Sequence, residues 1–135
     1  MHVRRIVPRF GGRWLRMIAL AGAAASIGAC GDARGASARM VQGGDADRGA
    51  RAIDTYGCGT CHMIPGIRDA TGMVGPPLTA FGRRTIIAGR VPNDPDALVH
   101  WIRAPQEIDP GTAMPNLDVT DRDAKDIAAY LYTLH

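Results

Sequence analysis

The feature that most constrains this chain is a cysteine pair followed directly by a histidine, at residues 58–62 (CGTCH). The chain has only three cysteines in 135 residues, so this pair is not an accident of a cysteine-rich composition. A thioredoxin-like redox pair would need flanking βαβ segments, which the neighbouring residues do not provide. A structural zinc site would need a second ligand pair, and Cys30 is the only other cysteine.

The spacing of the motif is typical of covalent attachment of a c-type haem. Two residues between Cys58 and Cys61 let both sulfurs reach the two vinyl groups on one edge of a porphyrin. The imidazole of His62 then lies beneath the ring and can bind the iron from one side. The sequence therefore predicts one covalent haem c.

The net charge of +3 comes from the start of the chain. Five arginines and no acidic residue precede Cys30, and without that stretch 11 basic side chains face 13 acidic ones, a net charge of −2. Such a basic start is typical of a targeting segment. We therefore expect no nucleic-acid partner.

Residues 1–29 are predicted to be an export signal, because arginines are followed by an apolar stretch over residues 17–29. That stretch is shorter than the about 20 residues needed to span a bilayer, although an uncleaved membrane anchor is an alternative. Residues 27–30 (IGAC) resemble the lipobox of bacterial lipoproteins, which would make Cys30 the lipidated first residue of the mature protein. Ordinary cleavage nearby, leaving a free thiol, is the other interpretation. The predicted location is the periplasmic side of a bacterial cell envelope, on a lipid anchor.

Residues 30–43 are predicted to be a flexible tether, since the stretch after Cys30 has no apolar period. Thirteen such residues span roughly 20 Å on average and roughly 45 Å when stretched. The remaining residues, 44–135, form the predicted domain.

Two segments at the ends of this domain are predicted to be helices that cross. The first covers residues 45–56, with Asp45 or Gly44 as its cap. The second begins after Thr120, which has Asp123 three residues on in the capping-box position. Gly49 would let the two helices approach closely, with Tyr130 at the crossing.

The middle of the domain is predicted to be rich in loops. Residues 75–78 (GPPL) cannot form a regular helix, since the second proline restricts the first to extended conformations. We expect a short helical turn within residues 81–89 and a helix over residues 95–103 that stops before Pro105. Residues 111–115 are expected to be a loop.

A haem bound by His62 has an open sixth position, for which Met114 is the best candidate. Met114 lies far enough along the chain to reach the opposite face of the ring, and Pro115 would stiffen its loop. A core-filling role is the alternative for Met114, and His100 is the rival ligand, expected instead to be a surface imidazole. The other methionines considered lie beside His62 or in the tether: Met40, Met63 and Met73.

Taken together, the motifs resemble the small, single-haem class I c-type cytochromes. The motifs that carry the likeness are GD at 44–45, Gly49, CGTCH at 58–62, GPPL at 75–78, MP at 114–115 and IAAYL at 127–131. The resemblance implies an all-α fold with terminal helices crossing around a covalently bound haem. It implies thioethers at Cys58 and Cys61, and axial ligation of the iron by His62 and Met114. It also implies that the carbonyl of Pro76 accepts the imidazole N–H.

A second likeness concerns the middle of the domain, which does not follow mitochondrial cytochrome c over residues 81–114. Residues 87–93, 101–105 and 110–115 resemble cytochrome c domains associated with haem-copper respiratory oxidases, some of which are fused to the second oxidase subunit. Indole and guanidinium groups suit haem propionates, and solvated or packing roles are the alternative for each. The candidates for propionate contacts are Trp101, Arg83, Arg84 and Arg103.

These observations predict an electron carrier rather than an enzyme, since no acid, base, nucleophile or small-molecule substrate is needed. We expect a one-electron carrier in a bacterial respiratory chain, with a redox protein as donor and a terminal oxidase as acceptor. One alternative is the electron-accepting haem c subunit of a periplasmic dehydrogenase complex. Another is a gas or redox sensor, which would usually need an output domain.

Overall fold

The computed structural model describes residues 40–135. Over this range the chain is mainly helical, and its strands form one two-stranded hairpin. The helices are α1 (Ala46–Thr55), α2 (Pro95–Arg103), α3 (Pro105–Ile108) and α4 (Asp121–Tyr132). The other elements are 3₁₀ turns at Cys58–Thr60 and Phe81–Arg83 and the antiparallel strands β1 (Ile86–Ile87) and β2 (Val91–Pro92). The predicted all-α fold is confirmed.

Some of the predicted features lie outside the described residues, namely the export signal over residues 1–29, the candidate lipidation site Cys30 and the tether as far as residue 39. At the start of the described range, the N–H of Gly44 donates to the carbonyl oxygen of Val41 at 3.1 Å, and Val41 packs against the core. None of the helices within residues 40–135 is long and apolar enough to cross a membrane.

Both terminal helices begin at the positions that their capping residues predicted, directly after Asp45 and Thr120. The Asp45 side chain accepts a hydrogen bond from the N–H of Arg48 at 2.8 Å, and Thr120 Oγ1 accepts one from the N–H of Asp123 at 3.1 Å. The Asp123 carboxylate, however, accepts a hydrogen bond from the Tyr56 hydroxyl at 2.9 Å. This bond joins the C-terminal end of α1 to the first turn of α4.

Helices α1 and α4 cross at Gly49, as the sequence predicted. A β-carbon on Gly49 would lie 2.6 Å from the carbonyl carbon of Asp126 and 3.0 Å from the β-carbon of Tyr130. Only glycine therefore lets the two backbones approach this closely. Ile53 on α1 and Ile127 on α4 are both buried in the core.

A buried ion pair joins the same two helices. The carboxylate of Asp126 is 1% exposed and accepts hydrogen bonds from Nε and Nη2 of Arg48 at 2.7 and 2.8 Å. It also accepts one from the N–H of Asp45 at 2.8 Å. The hydrogen bond from Arg48 holds the pKa of Asp126 below its ordinary value, so the carboxylate stays charged although it is buried. Nothing local in the sequence indicates this pair, whose members are 78 positions apart.

Helix α2 agrees with the prediction, and the short helix that follows it was missed. Asp94 caps α2 by accepting a hydrogen bond from the N–H of Ala97 at 2.9 Å, and the helix ends before Pro105. Pro105 then begins α3, since proline is suited to the first helical position, where its missing N–H costs nothing.

The helical turn predicted within residues 81–89 is present only at Phe81–Arg83. The rest of that segment enters the β1–β2 hairpin, whose connection carries Ala88 and Gly89 at φ values of 51° and 69°. An alanine in the left-handed region is uncommon, so the residue type did not signal this turn.

The core lies where α4 packs against α1 and α2. Asn93 is buried and connects the loops in the middle of the domain to this core. Its Nδ2 donates to the carbonyl oxygens of Phe81 and Arg84 at 3.2 and 3.0 Å, and its Oδ1 accepts from the Tyr132 hydroxyl at 3.0 Å. The loop-rich middle therefore has a fixed connection to α4.

Candidate haem site

The CGTCH motif follows directly after α1. Gly57 has a φ of 68°, which lets the chain leave the helix and enter the 3₁₀ turn Cys58–Thr60. The N–H groups of Cys61 and His62 both donate to the carbonyl oxygen of Cys58, at 3.2 and 3.1 Å. The two thiols and the imidazole are therefore carried by one tightly bonded turn, whose position is set by the crossing of α1 and α4.

A second segment, residues 72–78, runs alongside this turn. It is held by hydrogen bonds from the N–H groups of Gly72, Gly75 and Leu78 to the carbonyl oxygens of Gly59, Cys61 and Met63, at 3.0, 2.8 and 2.8 Å. From one of these hydrogen bonds to the next, the donor residues are three positions apart in the chain and the acceptor residues are two positions apart. This agrees with the three-residue period of the extended polyproline conformation, which the consecutive prolines Pro76 and Pro77 favour.

The ring of His62 is oriented by this second segment. Its Nδ1 lies 2.8 Å from the carbonyl oxygen of Pro76. Because a carbonyl can only accept, Nδ1 carries a proton and donates it, and in the neutral imidazole this leaves the lone pair on Nε2. The hydrogen bond that the resemblance implied is thus present, and it gives the imidazole the tautomer that a metal ligand needs.

Gly75 makes room for that ring. A β-carbon on Gly75 would lie 2.6 Å from Nδ1 and 2.9 Å from Nε2 of His62, and closer still to Cε1. Any side chain at this position would push the imidazole away from Pro76. Gly75 and His62 are 13 positions apart in the chain, and nothing local in the sequence indicates that they are in contact.

Both cysteines of the motif are free, half-buried thiols. Burial raises the pKa of the Cys58 thiol, which favours its uncharged form. Within residues 40–135 no three histidine, cysteine, aspartate or glutamate side chains come together as a metal-binding group. The donor set at the motif, two available thiols beside an imidazole with an unprotonated Nε2, fits covalent attachment of a haem.

Met114 is half-buried and lies in the loop between α3 and α4. Its N–H donates to Thr112 Oγ1 at 3.2 Å, and its carbonyl oxygen accepts a hydrogen bond from Gln106 Nε2 at 2.7 Å. The rival ligand His100 is half-exposed, with Nε2 2.7 Å from a carboxylate oxygen of Glu107, in agreement with the expected surface imidazole. Axial ligation by Met114 stays a prediction.

The four candidates for propionate contacts are spread over different elements. Arg84 donates to the carbonyl oxygens of Pro77 and Thr79, and its guanidinium lies 5.3 Å from the centre of the Phe81 ring. This places Arg84 beside the segment that orients His62. Its role toward a propionate stays a prediction.

The other three candidates lie on α2 or in the turn before the hairpin. Arg103 forms an ion pair with Asp121 at 3.3 Å, and Arg83 is exposed in its 3₁₀ turn. Trp101 is half-buried on α2. None of the three is tied to the CGTCH turn by a hydrogen bond among the described residues.

Comparison with known proteins agrees with this architecture. The sequence model of the family described as cytochrome c matches residues 46–135. The chain is also 36% identical over 90 residues to cytochrome c oxidase subunit 2 of Alkalihalophilus pseudofirmus. That match covers 66% of this chain and only 25% of the relative's length. The chain therefore belongs to the cytochrome c family of electron-transfer proteins with covalently bound haem c, and its all-α architecture is that of the class I members.

Proposed function

We propose that this protein is a one-electron carrier of a bacterial respiratory chain, which accepts electrons from a redox protein and passes them to a terminal oxidase. The observation that carries the proposal is the hydrogen bond from His62 Nδ1 to Pro76 at 2.8 Å. It fixes an imidazole with a free Nε2 beside two unpaired thiols. Bound there, haem c supplies a reversible one-electron couple.

The residues of the chain have distinct parts in this proposal. Cys58 and Cys61 would hold the cofactor covalently, and His62 and Met114 would both ligate its iron. Pro76 keeps the imidazole in its ligating tautomer. Ligation by histidine and methionine together would raise the reduction potential and leave no position open for a substrate, which suits transfer of electrons rather than catalysis.

An exposed apolar surface beside the motif supports exchange of electrons at this place. Met63 is 41% exposed, Met73 is 89% exposed and Val74 is 80% exposed. Met63 follows the attachment motif directly, and the hydrogen bonds of Gly72 and Gly75 hold Met73 and Val74 against it. Exposed apolar patches mark interaction sites, and redox encounters are small and short-lived, typically below about 1,200 Å² in total.

An oxidase as acceptor is supported by the relative, whose name is that of an oxidase subunit. A predicted lipid anchor at Cys30 would hold the domain at the periplasmic face of a membrane, within reach of such a partner. The net charge of −2 without the export signal gives weak long-range attraction. A tether compensates, since it raises the local concentration of the carrier.

The proposal is tested with the exported holoprotein, by recording its oxidised and reduced absorption spectra with and without carbon monoxide. A carrier with both axial positions filled gives the same reduced spectrum with and without the gas, whereas Met114→Ala gives a protein that binds it. Oxidase-containing membranes are expected to oxidise the reduced parent protein. A parent that binds carbon monoxide at neutral pH, or that the oxidase leaves reduced, would contradict the proposal.

A further inference from the structure

The backbone of Met114 is held by side chains alone. Among the described residues Met114 makes no backbone–backbone hydrogen bond. Its N–H is bound by Thr112, two residues away in the same loop. Its carbonyl is bound by Gln106, which lies outside the loop. Thr112 is itself tied to the end of α3, because its N–H donates to the carbonyl oxygen of Asp109 at 3.0 Å. The Gln106 contact differs in that it binds the carbonyl of Met114 directly from α3.

Gln106 is itself anchored by the short helix α3. The preceding residue, Pro105, is one of the most deeply buried side chains of the domain. The N–H of Asp109 donates back to its carbonyl oxygen at 2.9 Å. The Gln106 amide is therefore presented to the loop from a helix that is fixed to the core, although the side chain itself is exposed.

Pro115, the residue after Met114, increases the effect of the hydrogen bond from Gln106 on the Met114 backbone. Pro115 restricts Met114 to extended conformations, and the peptide unit between them is planar like any other. Because Pro115 has no N–H, the carbonyl oxygen is the one hydrogen-bonding group of that unit. A hydrogen bond at 2.7 Å to the carbonyl oxygen of that plane limits its rotation. It thereby limits the direction in which the Met114 side chain leaves the backbone.

We infer that Gln106 is a positioning residue for Met114, holding the loop so that the thioether sulfur is directed at the iron. The inference rests on the proposed function, because it takes Met114 to be the sixth ligand. It adds that the strength of this ligation depends on an amide donor eight residues away in the chain. Loss of the donor frees the Met114 carbonyl without removing the ligand itself, while the bonds of Thr112 keep the rest of the loop in place.

The test uses purified holoprotein and compares Gln106→Ala and Gln106→Glu with the parent. The glutamate has nearly the same shape as glutamine but cannot donate, and its charge faces the Met114 carbonyl. A net contribution typical of one hydrogen bond predicts that imidazole binds the ferric protein about two- to tenfold more tightly in both variants. The reduction potential is expected to fall in both, since a weaker thioether bond raises it less.

Glu107→Ala is the matched control, because Glu107 is the next residue of α3, is exposed, and contacts His100 rather than the Met114 loop. Its imidazole affinity and potential are expected to equal those of the parent. If the Gln106 variants also equal the parent while Met114→Ala opens the iron, the positioning role is refuted and the ligand assignment stands. If Met114→Ala leaves the iron closed, the ligand assignment fails, and the inference fails with it.

Discussion

Removal of the Asp126 carboxylate tests how the terminal helices hold the haem-binding turn. The change Asp126→Ala removes three hydrogen bonds, two from Arg48 and one from the N–H of Asp45. Hydrogen bonds to charged groups contribute about 1.5–3 kcal/mol each, less where water can replace them. The Arg48 side chain is 36% exposed and can be rehydrated, which reduces its share. We therefore expect the free energy of unfolding to fall by about 2–4 kcal/mol.

The assay is urea unfolding of the holoprotein, followed by far-ultraviolet circular dichroism. Asp121→Ala is the control, since Asp121 lies on the same helix and pairs with Lys125 at 2.7 Å and with Arg103 at 3.3 Å, but all three side chains are well exposed. Surface pairs contribute about 0–1 kcal/mol, so this variant should unfold close to the parent. Equal loss in the two variants, or a loss below about 1 kcal/mol for Asp126→Ala, would refute the argument from burial.

Three further predictions concern the same domain. Gly75→Ala should displace the His62 ring and break its bond to Pro76, seen as a changed reduction potential and Soret spectrum; an unchanged potential would contradict the geometry. Folding lowers the pKa of Asp126, so the contribution of its carboxylate to stability is present above about pH 4 and is lost as the pH falls through the lowered pKa. Urea midpoints measured from pH 6 to 3 should therefore decline less in Asp126→Asn than in the parent. Met73→Asp should slow electron transfer to the oxidase at high salt without changing the potential, and equal rates would argue against the apolar surface as the docking site.

Much of the fold could be predicted from the sequence because its signals are local. Asp45, Asp94 and Thr120 are capping residues that stand immediately before helical segments, and each caps a helix in the structure. The hairpin could not be found in this way, since its strands have two residues each and no apolar period can be read from them. Helix α3 is a single turn and leaves equally little pattern.

The haem site likewise has some features with a local sequence signal and others without one. The motif at residues 58–62 can be recognised from the spacing of its cysteines and histidine. The contact of His62 with Pro76 was implied by the family resemblance. The contacts of Gly75 with His62 and of Gln106 with Met114 join residues whose types indicate nothing by themselves. Such pairs follow from the path of the chain through space and become visible only in the structure.

The central claim is that Cys58 and Cys61 carry the haem, and it is tested most directly by the mass of the proteolytic peptide containing residues 58–62. The protein should be exported from a host able to attach haem c before it is digested. The expected result is a peptide heavier by one haem, with neither thiol available for alkylation. A peptide of unmodified mass with both thiols alkylated would contradict it.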